Sequence, residues 1–317
     1  MSRIPALLPW ILTTLLALTS TASAERLNVV ATTGMVGDLV REVAGERAEL
    51  TTLMGEGIDP HLYKPTRTDI RRLQQADVIF YNGLLLEGKM SDALIRVASS
   101  GRRVHAVTEL LEEQYLIQAD DEEGYDDPHV WMDPRAWAKA VNVVRDALIA
   151  ADPDAADAYR SNASAAVERI EELDAYAQRV LASVPEGQRV LVTAHDAFNY
   201  FGRRYGFEVV GIQGLSTESE AGVQDIERLV DLLVEQKIGA VFVESTVSER
   251  NIKALLAGAR ARGHEVVIGG SLFSDAMGAP GTYEGTYLGM MDHNVTMVAR
   301  SLGGTAPEGG MQGKLGG

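Results

Sequence analysis

Beyond residue 26 the chain alternates short, unbroken apolar runs with longer stretches whose apolar residues return every three or four positions. Short runs rich in β-branched residues read as buried strands, and the wider spacing reads as amphipathic helix. On that basis strands are predicted at 27–31, 49–54, 78–81 and 102–107, with helices at 35–43, 68–76 and 88–99 between them. The same rhythm restarts later, with strands at 189–193, 208–212, 240–244 and 265–268 and helices at 223–236 and 250–262. Repeated β-α alternation of this kind predicts an α/β protein of two lobes, each a mostly parallel sheet flanked by helices.

The segment between the two halves has a different character. Pro153 and Pro185 bound it, and neither proline nor glycine occurs inside. Val167, Ile170, Leu173, Tyr176, Val180 and Leu181 fall on one helical face. About 28 residues at ~1.5 Å each give ~42 Å, enough for one rigid connecting helix to run along both lobes. The predicted organisation is an N-terminal lobe at 25–152, the connecting helix at 153–186, a C-terminal lobe at 187–302 and a flexible glycine-rich tail at 303–317.

The first 24 residues break the pattern. Arg3 precedes a mostly apolar core at 7–18, and Ala22-Ser23-Ala24 supplies small residues at a cleavage site, so the segment reads as a secretory signal peptide. Its core is short of the roughly 20 residues that a membrane span needs. The chain contains no cysteine. That excludes disulfides, zinc–thiolate sites and cysteine nucleophiles, and leaves no thiol for a lipid anchor. The expected location is the periplasm. The formal net charge is −16, and removing Arg3 with the leader makes it −17. Acidity of that size argues against nucleic acid and anionic membranes as partners, since both require basic surface.

Candidate chemistry concentrates in three short motifs, each with a histidine beside an aspartate just after a predicted strand. They are Asp59-Pro60-His61-Leu62-Tyr63, Asp127-Pro128-His129-Val130-Trp131 and Thr193-Ala194-His195-Asp196. A fourth group, Asp275, follows Gly269-Gly270-Ser271-Leu272-Phe273-Ser274, read as a glycine-rich loop that lets backbone approach a ligand. Three imidazoles and one carboxylate form a closed tetrahedral shell for a borderline divalent ion such as zinc. In open α/β sheets ligands gather at the carboxyl ends of strands, which places this shell in the cleft between lobes. Proline in Asp-Pro-His stiffens the turn that aims the imidazole. Asp59, Asp127 and Asp196 are candidate acceptors for the second ring nitrogens, with Trp131 packing near the cleft and Glu244 lining it.

The other features have plainer readings. His105, His264 and His293 are assigned to a strand, an exposed turn and a terminal helix. The acidic run 120–127 lacks the alternating ligands of a calcium loop and reads as a solvated loop. Residues 216–220 are either a polar cleft rim or a helix cap before Val223. A zinc hydrolase, with Glu244 as base, would need an open coordination position, and no His-Glu-x-x-His helix is present. A metal buffer or adhesin without a permease is the third reading.

Across nearly the whole chain these motifs resemble the TroA-like metal receptors, the zinc and manganese solute-binding proteins of ABC importers. The resemblance rests on Asp-Pro-His-x-Tyr-x-Pro-Thr at 59–66, Asp-Pro-His-x-Trp-x-Asp-Pro at 127–134, Thr-Ala-His-Asp-Ala-Phe at 193–198 and Leu-Phe-Ser-Asp-Ala-Met-Gly at 272–278. It implies His61, His129, His195 and Asp275 as the four ligands. It also implies two α/β lobes on a long helix, and an ABC permease partner powered by a cytoplasmic ATPase; the chain itself is expected to be a monomer. Two departures stand out. The acidic run replaces the histidine-rich loop of many zinc members, and His195 stands where manganese members usually carry glutamate. Imidazole favours zinc and carboxylate favours manganese, so the expected cargo is Zn2+ ahead of Mn2+.

Overall fold

The computed structural model describes residues 26–119 and 124–316. The leader at 1–24 and the acidic residues 120–123 lie outside that range.

The N-terminal lobe begins with β1 (Leu27–Ala31), α1 (Gly34–Ala44), β2 (Ala48–Thr52), α2 (Arg67–Gln75), β3 (Val78–Tyr81), α3 (Ser91–Ser99) and β4 (Arg103–Ala106). Its strands form one parallel sheet in the order β2-β1-β3-β4. Helix starts are fixed locally. Thr33 caps α1 by accepting the Val36 N–H, and Thr66 with Asp69 forms a reciprocal capping box on α2.

Two long helices follow, α4 (Pro134–Ala151) and α5 (Ala156–Leu181). The first was absent from the apolar pattern read above, because its buried face is built largely from alanine: Ala136, Ala138, Ala140 and Ala147 beside Trp137, Val141, Val144 and Leu148. Asp133 caps it and Pro134 occupies its first turn, so it starts inside the second histidine motif. The connecting helix has 26 residues, or ~39 Å, with a separate short turn at Pro153–Ala155 before it.

The C-terminal lobe comprises β5 (Val190–His195), α6 (Asn199–Tyr205), β6 (Glu208–Gln213), α7 (Val223–Glu235), β7 (Ala240–Glu244), α8 (Arg250–Ala261), β8 (Val267–Leu272) and α9 (Tyr287–Ser301). Its strands form two parallel pairs, β5-β6 and β7-β8, with β5 beside β7. Two expectations are corrected here. Gly269 and Gly270 belong to strand β8, not to a loop that admits a ligand. A Cβ at Gly269 would meet the Phe242 ring and Ser301, and one at Gly270 would meet Met297, so these glycines let β8 lie close to β7 and α9. Residues 303–316 are not a free tail. Met311 donates its N–H to both carboxylate oxygens of buried Asp292, at 2.9 and 2.8 Å, and Arg300 holds the Ala306 and Pro307 carbonyls.

One apolar core passes through both lobes. It runs from Val29 and Val36 through Trp137 and Val141 of α4 and Tyr159 and Leu173 of α5 to Phe201, Met290 and Val295. Smaller clusters lie under the outer faces of each sheet, around Ile79 and Leu73 and around Val241 and Leu255. Among the described residues no helix is long and apolar enough to cross a membrane.

Candidate metal centre

All four sequence-selected side chains meet at one point between the lobes. His61 lies in the loop after β2, His129 in the short turn before α4, His195 at the last position of β5 and Asp275 just beyond β8. Each offers a ligand atom, and these atoms lie within 4.8 Å of one another. Asp275 Oδ2 is 3.5 Å from His61 Nε2 and 3.2 Å from His195 Nε2, and its Oδ1 is 3.5 Å from His129 Nε2. A tetrahedral zinc with bonds of 2.0–2.1 Å sets its ligand atoms roughly 3.3 Å apart, so the spacing suits such an ion.

Burial sharpens that fit. The three Nε2 atoms and both Asp275 oxygens are buried without a hydrogen-bond partner. Buried polar atoms are normally paired, and leaving one orphaned costs about 1–3 kcal/mol. Five orphans aimed at one centre describe a cradle for a cation. Their electrostatics are uneven. Burial drives the His61 imidazole down to about 4. Burial also works against a charged His195, but the Glu244 and Asp275 carboxylates outweigh it and raise that group well above 6.5. Burial would raise Asp275 too, yet the three imidazoles, His195 foremost, hold it well below the usual carboxylate range.

The neighbours take distinct roles. Asp127 Oδ1 accepts the His129 ring Nδ1–H at 2.8 Å and its backbone N–H at 2.9 Å, which leaves Nε2 facing the centre. Glu244 does the same for His195, with Oε1 on its backbone N–H at 2.8 Å and Oε2 on Nδ1. Asp59 departs from expectation: Oδ1 accepts the His61 backbone N–H, at 2.8 Å, in place of its ring. Its other oxygen accepts the Thr217 hydroxyl at 2.5 Å. Asp196 also departs, because successive residues leaving a strand point to opposite sides. Its half-buried carboxyl lies by a cavity of about 620 Å³ beneath α7, where burial raises its pKa. Trp131 is fully buried 5.3 Å from the His129 ring, and its Nε1–H donates to the Ser274 carbonyl at 2.9 Å.

Several contributors carried no sequence signal. Asn294 of α9 clamps the loop before Asp275, accepting the Phe273 N–H at 2.9 Å and donating to the Phe273 carbonyl at 2.7 Å. Asn199 donates to Asp127 Oδ2 at 3.1 Å, and Tyr200 donates its hydroxyl to the Asp127 carbonyl at 2.8 Å. Residues 216–220 bridge the lobes through Thr217 and a 2.9 Å Lys89–Glu218 ion pair, while Gly222 and Asp225 cap α7. A cavity of about 760 Å³ opens above His61, lined by Leu84, Leu85, Tyr125 and Ser216. The other histidines make local contacts: His105 packs on Phe80, His264 bonds the Ile238 carbonyl and His293 the Ser271 carbonyl. His264 is half-buried, not in the exposed turn expected of it.

Comparison with known proteins agrees with this architecture. The family model described as ZnuA, zinc-uptake complex component A periplasmic, matches residues 29–301. The manganese-binding lipoprotein MntA of Bacillus subtilis is 47% identical over 278 residues, covering 88% of this chain and 90% of its own length. The zinc-binding protein TroA of Treponema pallidum is 44% identical over 274 residues, covering 86% of this chain and 88% of its own. The solved TroA structure superposes with a TM-score of 0.84 over 87% of this chain and 99% of that one. A more distant relative, the manganese ABC transporter substrate-binding lipoprotein PsaA of Streptococcus pneumoniae, is 30% identical over 288 residues, 89% of this chain and 91% of its own. The names divide between zinc and manganese, so the shared fold leaves the metal open. On these grounds the chain belongs to the periplasmic zinc-uptake component A family, the metal-binding substrate receptors of ABC transporters.

Proposed function

We propose that the protein captures a divalent transition-metal ion between its lobes and delivers it, as a monomer in the periplasm, to an ABC permease. His61, His129, His195 and Asp275 are its four protein ligands, and zinc is preferred to manganese. One observation carries the reading: five buried, unpartnered polar atoms on four side chains converge from both lobes. Three neutral nitrogens and one carboxylate match zinc chemistry better than manganese chemistry, and the general affinity order favours zinc at such a site. The names of MntA and PsaA keep manganese as the second cargo. The permease partner is supported by the ABC transporter name of PsaA.

Capture involves no catalytic step. Four protein ligands leave no open position for an activated water. Glu244 has both oxygens committed to His195 and is not a free base.

Elemental analysis of protein purified without added metal, followed by competitive titration, tests the proposal. One ion per chain is expected, with zinc displacing manganese. His195→Glu should shift the zinc-to-manganese preference towards manganese by at least roughly tenfold, because carboxylate replaces imidazole. An unchanged ratio would remove the third ligand as the source of selectivity. Absence of stoichiometric binding would overturn the proposal.

A further inference from the structure

Both Asp-Pro-His turns are built on one device, and in each the device ends in the opposite lobe. Asp59 Oδ1 accepts the His61 backbone N–H at 2.8 Å, while Oδ2 accepts the Thr217 hydroxyl at 2.5 Å. Asp127 Oδ1 accepts the backbone and ring N–H of His129 at 2.9 and 2.8 Å, while Oδ2 accepts the Asn199 amide at 3.1 Å. Thr217 lies between β6 and α7 and Asn199 opens α6, so both donors belong to the C-terminal lobe. Each aspartate therefore has one oxygen on a histidine of its own lobe and the other on its neighbour.

We infer that Thr217 and Asn199 are positioning residues that couple the separation of the lobes to the grip of His61 and His129 on the ion. The inference rests on the metal-capture reading. A carboxylate held from two sides keeps one orientation, and its histidine keeps one aim. Hydrogen bonds lengthened beyond about 3.5 Å no longer hold, so a small displacement of the lobes releases both aspartates at once. The other two ligands keep holders of their own lobe when the lobes part. Glu244 fixes His195, and Asn294 fixes the Asp275 loop, which also takes the Trp131 indole N–H at Ser274 from the other lobe. Parting the lobes thus turns a four-ligand site into a two-ligand one, with the N-terminal imidazoles leaving first.

The test is the rate at which zinc-loaded protein loses metal to excess chelator. Thr217→Val and Asn199→Ala should each lose it roughly tenfold faster, as expected for one hydrogen bond to a charged group. Thr217→Ser, which restores the hydroxyl, should return to the wild-type rate. In metal-free protein, amide exchange at His61 should accelerate in Thr217→Val, a readout independent of any ion. Loss rates within twofold of wild type, or unchanged exchange at His61, overturn the inference. If Asn199→Ala does not fold, Thr217→Val decides alone. A wild-type chain that takes up no zinc overturns the metal reading and this inference with it; a wild type that holds zinc while the variants match it overturns the inference alone.

Discussion

Protons and metal compete for the same nitrogens, and the competition is not shared equally. His61 is held down to about 4 by burial, so it is already neutral through the ordinary range. His195 is the opposite case, raised well above 6.5 by Glu244 and Asp275 against the effect of burial. The pH-sensitive window of metal binding therefore lies above the ordinary histidine value of 6.5. The metal-free protein keeps a proton on His195 until pH passes its raised value, and an incoming metal ion would have to displace that proton. Calorimetry in buffers of different ionisation enthalpy should show about one proton released per ion within that window and none above it. The same linkage acts on stability. A raised pKa contributes stability that is complete below 6.5 and is lost as pH rises through the folded value. The melting temperature of metal-free protein should fall across that window, with no such fall in the loaded form. The four candidate ligands were legible as residues, because each sits in a short motif of fixed composition. Their cross-lobe holders were not. Thr217 and Asn199 act on partners 158 and 72 positions away in the chain, a relation that no local pattern carries.

At the scale of elements, unbroken apolar runs were the most informative signal. The strands β1, β3 and β7 fall where their Val, Ile and Phe residues predict, because burial on both faces removes the polar alternation. Alanine hid α4, and glycine disguised β8, since both residues report close packing more than they report element type. The connecting helix was legible from spacing alone, and its buried face makes it the spine of the molecule. Leu173, fully buried in α5, is in contact with the shared core. Leu173→Ala should destabilise the metal-free chain by about 2–5 kcal/mol, read as a lower urea midpoint with an unchanged slope. A loss below about 1 kcal/mol would mean that the helix contributes little to the core.

On the scale of the whole molecule, the lobes are joined by more than a linker. Residues of both lobes, of α4 and of α5 form one apolar core, so separating the lobes widely would expose surface that folding has buried. Small closure with local loop movement is the expected response to metal, in place of broad hinge bending. Small-angle scattering of metal-free and loaded protein should give radii of gyration that agree to within roughly 1 Å, whereas a change of several ångströms would refute a rigid spine. The two-lobe plan was visible in the restarted β-α rhythm, but the continuity of the core was not, because it depends on contacts between distant segments.

The strapped segment beyond α9 has a consequence for how that helix is held. Asp292, buried on α9, accepts the Met311 N–H on both oxygens, the Tyr283 hydroxyl at 3.1 Å and the Thr296 hydroxyl at 3.3 Å. One side chain is thus the shared clasp of the helix, the loop before it and the stretch of chain after it. Loosening any of the three leaves a buried oxygen short of a donor, so the trio should open and close as a unit.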